Sequence, residues 1–266
     1  MKRLLMVALL VVANLQGKEV RVIAHRGASA YAPENTLPAF ELAWRQDADA
    51  IEGDFHLTAD GEIVCVHDYS IKKYTGVDKR VEEMTLEELR SYDFGAWVGE
   101  SWKGTQIPTL REVLDTVPAG KLMFVEIKCG PEIVPELLEQ VEASGLSEEQ
   151  IVFISFNEKV VQRLKKAAPA YAANWLVSVK RDERGRQRPK TSKLMRVLRK
   201  SKVDGISTRA NEVVDSAFVS RFKDKGLGYH VWTVDDPDYA LALLEAGVDT
   251  ITTNKPDAIL EALNRR

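Results

Sequence analysis

Strand-like runs alternate with helix-like runs along this chain, and that alternation constrains the fold more than any other feature. The strand-like runs are short and rich in β-branched residues: 20–25, 50–54, 122–127, 151–155, 172–178, 203–207, 228–234 and 248–252. Between and after them lie runs with apolar residues at helical spacing: 36–46, 132–143, 158–168, 192–200, 213–225, 237–246 and 259–263. In the first of these, Leu37, Phe40, Ala43 and Trp44 mark one face. Strand-then-helix repetition implies parallel strands joined by crossover helices. Eight such units in 266 residues predict an α/β fold of the closed (β/α)8 TIM-barrel type, with an open doubly wound sheet as the alternative. Hydrophobic residues make up 45% of the chain, enough to fill the core of such a barrel.

One segment breaks the alternation. Phe55-His56-Leu57 and residues 62–67 are both strand-like, yet only Thr58-Ala59-Asp60-Gly61 separates them. Four residues cannot make a parallel crossover, and Asp-Gly is a hairpin signal. The second run therefore turns back beside strand two and brings His67 near the level of Glu52. The next stretch, about 69–108, is an insertion whose Tyr74, Tyr92, Phe94, Trp97 and Trp102 predict a small packed cap.

The N-terminus has the grammar of a secretory leader. Lys2 and Arg3 precede an apolar run over 4–13, and Val11 and Ala13 suit a cleavage site, with cleavage after Gly17 as the alternative. The expected organisation is a signal peptide over 1–17 and one barrel domain over 18–266, in a secreted or periplasmic protein. The apolar run is about half of what a bilayer crossing requires. Two cysteines, Cys65 and Cys129, do not make a disulfide framework; Cys65 reads as a buried thiol, with a bridge between the two left open. A formal net charge of −3 gives no general attraction to nucleic acid. Locally, Arg181, Arg184, Arg186, Arg188 and Lys190 follow strand five and are expected at the rim of the barrel's active face; the plain reading of this basic segment is a solvated face, and the sharper one is attraction of anionic diesters or of an anionic membrane surface.

In such barrels the C-terminal strand ends carry the chemistry. His25-Arg26 ends strand one, Glu52 and Asp54 end strand two, His67-Asp68 ends the hairpin, Glu126 and Lys128 end strand three, and Trp232 lies on strand seven. Residues two apart on a strand share a side. Three carboxylates at neighbouring strand ends repel one another unless a cation neutralises them, and an all-oxygen set favours Mg²⁺, Ca²⁺ or Mn²⁺ over zinc. The plainer alternative is a salt-bridge cluster with Arg26 and Lys128. His25 and His67 titrate near neutrality and suit general acid and base work. His230, within a strand, reads as structural, and His56 as exposed or packed on the turn.

These residues resemble, in order, the signature of the glycerophosphodiester phosphodiesterase family: His25-Arg26-Gly27, Pro33-Glu34-Asn35-Thr36, Glu52-Gly53-Asp54, Thr58-Ala59-Asp60-Gly61, His67-Asp68, Ile107-Pro108-Thr109-Leu110, Glu126-Ile127-Lys128, then Ser155-Phe156 and Trp232-Thr233-Val234. The resemblance implies an eight-fold barrel and hydrolysis of a small-molecule glycerophosphodiester to glycerol 3-phosphate and an alcohol. It implies His25 and His67 as the acid/base pair and Glu52, Asp54 and Glu126 as ligands of a divalent cation (Mg, Ca or Mn). Arg26 and Lys128 are implied at the phosphate, and Trp232 at the substrate mouth. One departure is Thr253-Asn254, where members of the family commonly carry Thr-Asp; Asn254 lies outside the implied metal set. A related lipid phosphodiesterase of the lysophospholipase D or sphingomyelinase D type shares the same residues. A non-catalytic, phosphate-binding barrel is the reading from another class.

Overall fold

The computed structural model describes residues 22–264. The leader expected over 1–17, and the boundary drawn after it, lie outside the described residues. In chain order the strands are β1 Val22–His25, β2 Ala50–Leu57, β3 Ile63–Cys65, β4 Leu122–Ile127, β5 Ile151–Ser155, β6 Ala172–Val177, β7 Lys180–Arg181, β8 Gln187–Arg188, β9 Gly205–Arg209, β10 Gly228–Trp232 and β11 Thr250–Thr253. The helices are α1 Leu37–Arg45, α2 Lys72–Thr75, α3 Leu86–Arg90, α4 Leu110–Leu114, α5 Val134–Ala143, α6 Glu158–Ala167, α7 Thr191–Ser201, α8 Ser216–Lys223, α9 Pro237–Glu245 and α10 Pro256–Asn264.

β1, β2, β4, β5, β6, β9, β10 and β11 pair in parallel, and β1 meets both β2 and β11, so the sheet closes on itself. The eight-stranded barrel is thus present, and the open sheet is excluded. β3 runs antiparallel to β2, with Phe55 opposite Cys65 and Leu57 opposite Ile63. The Val66 N–H donates to the Asp54 carbonyl, so the same register carries His67 to the level of Gly53, next to Glu52. The barrel strands read as near-continuous apolar runs because parallel strands are covered on both faces; β4 and β6 are buried at every position.

Helix starts follow local chemistry. The Asn157 side chain accepts from the Lys159 N–H at α6, that of Asp215 from Phe218 at α8 and that of Asp236 from Tyr239 at α9. Thr109 and Glu112 form a reciprocal capping box at α4. α8 begins at Ser216, not at 213, because the Asp215 cap stops it there. The insertion has a small core of its own, in which Ile71, Tyr74, Val81, Met84, Leu89 and Phe94 pack on Val64 and Val66. The basic stretch after β6 forms the antiparallel β7–β8 hairpin. Both cysteines are free thiols, Cys65 buried and Cys129 partly so. Among the described residues no helix is long and apolar enough to cross a membrane.

Candidate active site

The C-terminal ends of the strands surround a cavity of about 140 Å³ lined by His25, Arg26, Glu52, His67, Glu126 and Lys128, with Phe124, Leu176 and Trp232 among its apolar walls. Asp54 sits behind this wall at 1% exposure. One carboxylate oxygen from each of Glu52, Asp54 and Glu126 lies within 4.8 Å of the other two. Barrel closure produces this cluster, since β2 and β4 are neighbours with Asp54 opposite Glu126.

Arg26 is the hinge of the arrangement. Its backbone adopts a left-handed φ of +56°, rare for a side-chain-bearing residue. That turn points its N–H at Glu52 Oε2 (3.0 Å) and sets Nε 3.1 Å from Asp54 Oδ2. Gly27 follows at φ +78°, and a Cβ there would lie 2.5 Å from the Ala39 carbonyl carbon of α1. Glu34 holds Arg26 from the far side (3.1 Å) and also accepts from Lys73 and Tyr74 of α2, so the insertion is clamped to the site. Asn35 fixes Asp54: its amide donates to Oδ2 at 2.8 Å, and its carbonyl oxygen accepts the Asp54 N–H at 3.1 Å.

The charges are strongly interdependent. Lys128 Nζ lies 2.7 Å from Glu126 Oε1 and 3.3 Å from Asp54 Oδ1. Burial opposes the charge on Asp54, but Lys128 and Arg26 more than offset it and hold its carboxyl below the usual range. Burial, then repulsion from Asp54 and Glu126, pushes Glu52 well up. Burial, then Asp54, raises Glu126 to about 7. Glu52 Oε1 is buried with no hydrogen-bond partner. An orphaned carboxylate oxygen beside two others is what a hard cation would satisfy. The residues therefore fit a divalent ion, although two cationic side chains also lie against them.

The two histidines are oriented differently. His25 Nδ1 lies 2.7 Å from Asn254 Oδ1. Asn254 Nδ2 donates to Asp235 Oδ2 at 2.7 Å, and its backbone N–H donates to Asp235 Oδ1. A carboxylate oxygen only accepts, so the amide nitrogen of Asn254 faces Asp235 and its oxygen faces the imidazole. His25 Nδ1 therefore carries the hydrogen and Nε2 the lone pair. Burial, reinforced by Arg26, lowers His25 to about 4. His67 Nδ1 instead faces a carboxylate, Asp68 Oδ1, at 2.6 Å.

All the sequence-predicted residues converge here, with Asp54 just behind the cavity wall. Four further residues have no role in the sequence reading. For Asp235 and Asn254, a polar pair after strands seven and eight is a usable signal. Glu34 and Asn35 stand inside the family signature, whose order alone does not say what they touch. The exposed Phe156 ring meets Trp232 edge-on at 5.6 Å, and the Trp232 Nε1 is buried without a partner. His56 is not an exposed turn residue: it is 3% exposed, its ring packs on Tyr69 at 4.9 Å, and Nε2 lies 3.3 Å from the His67 carbonyl. β2 runs on past it and Tyr69 folds over it. His230 is buried in β10 with Nδ1 2.9 Å from Thr250 Oγ1, and it also borders the floor of the cavity.

Residues 25–258 match the model of the glycerophosphoryl diester phosphodiesterase family. A glycerophosphodiester phosphodiesterase of Caldanaerobacter subterraneus subsp. tengcongensis is 32% identical over 249 residues, covering 92% of this chain and 98% of the relative. The YhdW protein of Bacillus subtilis (strain 168) is 35% identical over 246 residues, 90% of this chain and 96% of its own length. Among solved structures, a phosphodiesterase of Oleispira antarctica in complex with the product sn-glycerol-3-phosphate superposes with a TM-score of 0.83 at 28% identity, covering 92% of this chain and 96% of that one.

Proposed function

The chain belongs to the glycerophosphoryl diester phosphodiesterase family and is a phosphoric diester hydrolase, and we propose that it hydrolyses glycerophosphodiesters to glycerol 3-phosphate and an alcohol with His25 as base and His67 as acid. One observation carries the assignment of roles: of the three imidazoles that border the cavity, His25 and His67, at the strand ends, have unlike partners. His25 donates to a neutral amide, and burial disfavours its cation, so at neutral pH its Nε2 presents a lone pair able to take a proton from the attacking oxygen. His67 instead sets Nδ1 against the Asp68 carboxylate, which orients the ring, and takes the acid role toward the leaving alkoxide. Arg26 and Lys128 border the same cavity and hold the phosphate oxygens, Arg26 through its fork and Lys128 as a point charge. Trp232 and Phe156 form the lip over which the alcohol half leaves.

Glu52, Asp54 and Glu126 would hold a divalent cation, Mg²⁺, Ca²⁺ or Mn²⁺. When bound, such an ion supplies Lewis-acid stabilisation of the charge that grows on the phosphoryl oxygens. A site outside the cytoplasmic membrane belongs to the same reading and rests on the leader over 1–17. So does peripheral contact with an anionic membrane surface, through Arg184 and Arg186 exposed on the β7–β8 hairpin.

Turnover of glycerophosphocholine tests the central claim. Chelation followed by dialysis is expected to abolish glycerol 3-phosphate release, and Mg²⁺, Ca²⁺ or Mn²⁺ to restore it. Full activity in excess chelator removes the metal; no turnover with any of the three ions removes the substrate class.

A further inference from the structure

Beside the catalytic cavity, on the same end of the barrel, lies a groove of about 740 Å³ that the proposed hydrolysis leaves unused. Lys180, Arg188, Lys190, Lys193 and Arg209 line it, and no acidic side chain does. The hairpin arginines contribute less than their number suggests. Asp182 pairs with Arg186 at 3.0 Å and with Arg188 at 3.1 Å, which neutralises much of that cluster locally. Lys180, Lys190, Lys193 and Arg209 form no ion pair among the described residues. α7 opens at Lys190 with no side-chain cap, and Ser192 of its first turn also borders the groove. Four unpaired cations facing one concavity repel one another, and an anion between them relieves that repulsion.

The groove lies outward of the active-site cavity along two neighbouring strands. On β6, Asn174 and Leu176 line the cavity, and Ser178, just past the end of the strand, lines the groove. On the adjacent β9, Ser207 lines the cavity and Arg209, two residues on and on the same face, lines the groove. One such step is about 7 Å along a strand. Arg209 pairs in register with Trp232, the residue at the lip. A diester held at Arg26 and Lys128 that sends its alcohol half over Trp232 therefore meets Arg209 first.

We propose that the groove is a second anion subsite, and that the preferred substrates are glycerophosphodiesters whose leaving alcohol carries a further phosphate group. This rests on the diesterase reading. The reacting phosphorus stays in the cavity, and the distal phosphate lies between Arg209, Lys193 and Lys190.

The test compares kcat/KM for two diesters at low ionic strength: glycerophosphoglycerol, and the same molecule with a phosphate on its terminal glycerol. The phosphorylated substrate is expected to be preferred on the order of tenfold, with the gap closing as salt is raised. In the triple variant Lys190→Gln, Lys193→Gln, Arg209→Gln the preference is expected to vanish at low salt, most of the change appearing in KM. Because all three side chains are exposed, unchanged thermal melting checks that the variant folds. Equal kcat/KM for the two diesters in the wild type overturns the subsite while leaving the diesterase reading intact. Hydrolysis of neither overturns the diesterase reading itself. Co-sedimentation with phosphatidylglycerol vesicles that the triple variant loses, without any preference between the diesters, also overturns the subsite and makes the groove a membrane contact.

Discussion

At the scale of single residues, the asymmetry between the two histidines governs what each can do. Asp235 orients Asn254, and Asn254 fixes the hydrogen of His25 on Nδ1. Removing that acceptor frees the ring to rotate and to take the other tautomer. Asn254→Ala is expected to lower kcat by roughly 10- to 100-fold with little change in KM, the usual cost of losing a group that orients a functional imidazole. Asn254→Asp is the sharper test. A carboxylate beside Nδ1 favours the imidazolium, so the His25 pKa rises from about 4. A base must be unprotonated, so the acidic limb of the kcat/KM profile moves to higher pH. A profile unmoved by Asn254→Asp contradicts the role of His25 as base. The chain's order of His25, Glu52, Asp54, His67, Glu126 and Lys128 makes these residues legible as one site. Asn254 is not legible in the same way, because it meets His25 only where the last strand closes onto the first.

At the scale of elements, the β1–α1 turn positions the machinery. Arg26 and Gly27 both take left-handed backbone conformations immediately after β1, and the chain then doubles back against α1. At Gly27 a methyl group would strike the Ala39 backbone and the positive φ would be strained. Gly27→Ala is expected to cost at least about 1–2 kcal/mol from the left-handed conformation alone, with the collision adding to it. Urea melts measure that loss, and activity should fall with it because His25 and Arg26 directly precede the displaced residue. A variant with wild-type stability and turnover would mean that the turn relaxes without moving the site. The β2–β3 hairpin is readable from four turn residues. The β7–β8 hairpin is not, because its strands are two residues each and rich in charge, and its pairing rests on Asp182, which gathers the Arg184 and Arg186 N–H groups.

At the scale of the whole molecule, the barrel interior buries groups that would otherwise charge in mild acid. Burial lowers His230 to about 4, against about 6.5 for an unfolded chain. Between those values the unfolded state binds the extra proton. The stabilising contribution of neutral His230 is therefore complete above about pH 6.5 and is lost as pH falls toward 4. Thermal melting from pH 7.5 to 4.5 should show Tm falling with acid, less steeply in His230→Gln. His25 and His56 are shifted the same way, so the slope is reduced and not abolished. Glu126 has the opposite sign, losing stability as pH climbs toward 7, and comparing the variant with the wild type cancels it. Parallel slopes for the two proteins would mean that His230 is not held neutral by the barrel.

From sequence alone came the eight strand-helix units, the hairpin after strand two, the insertion, and the set of polar residues at the strand ends. Each of these is written in local periodicity, turn chemistry or position along a strand. The tertiary structure decided which of those residues touch. Closure of the sheet set Asp54 opposite Glu126 and left Glu52 Oε1 without a partner. It also brought Asn254 to His25 across 229 residues of chain, and folded Tyr69 over His56. Burial did the rest: the same His, Glu and Asp residues ionise differently according to how much water the barrel excludes and which charges it places beside them, and neither is encoded within a few residues of the group concerned.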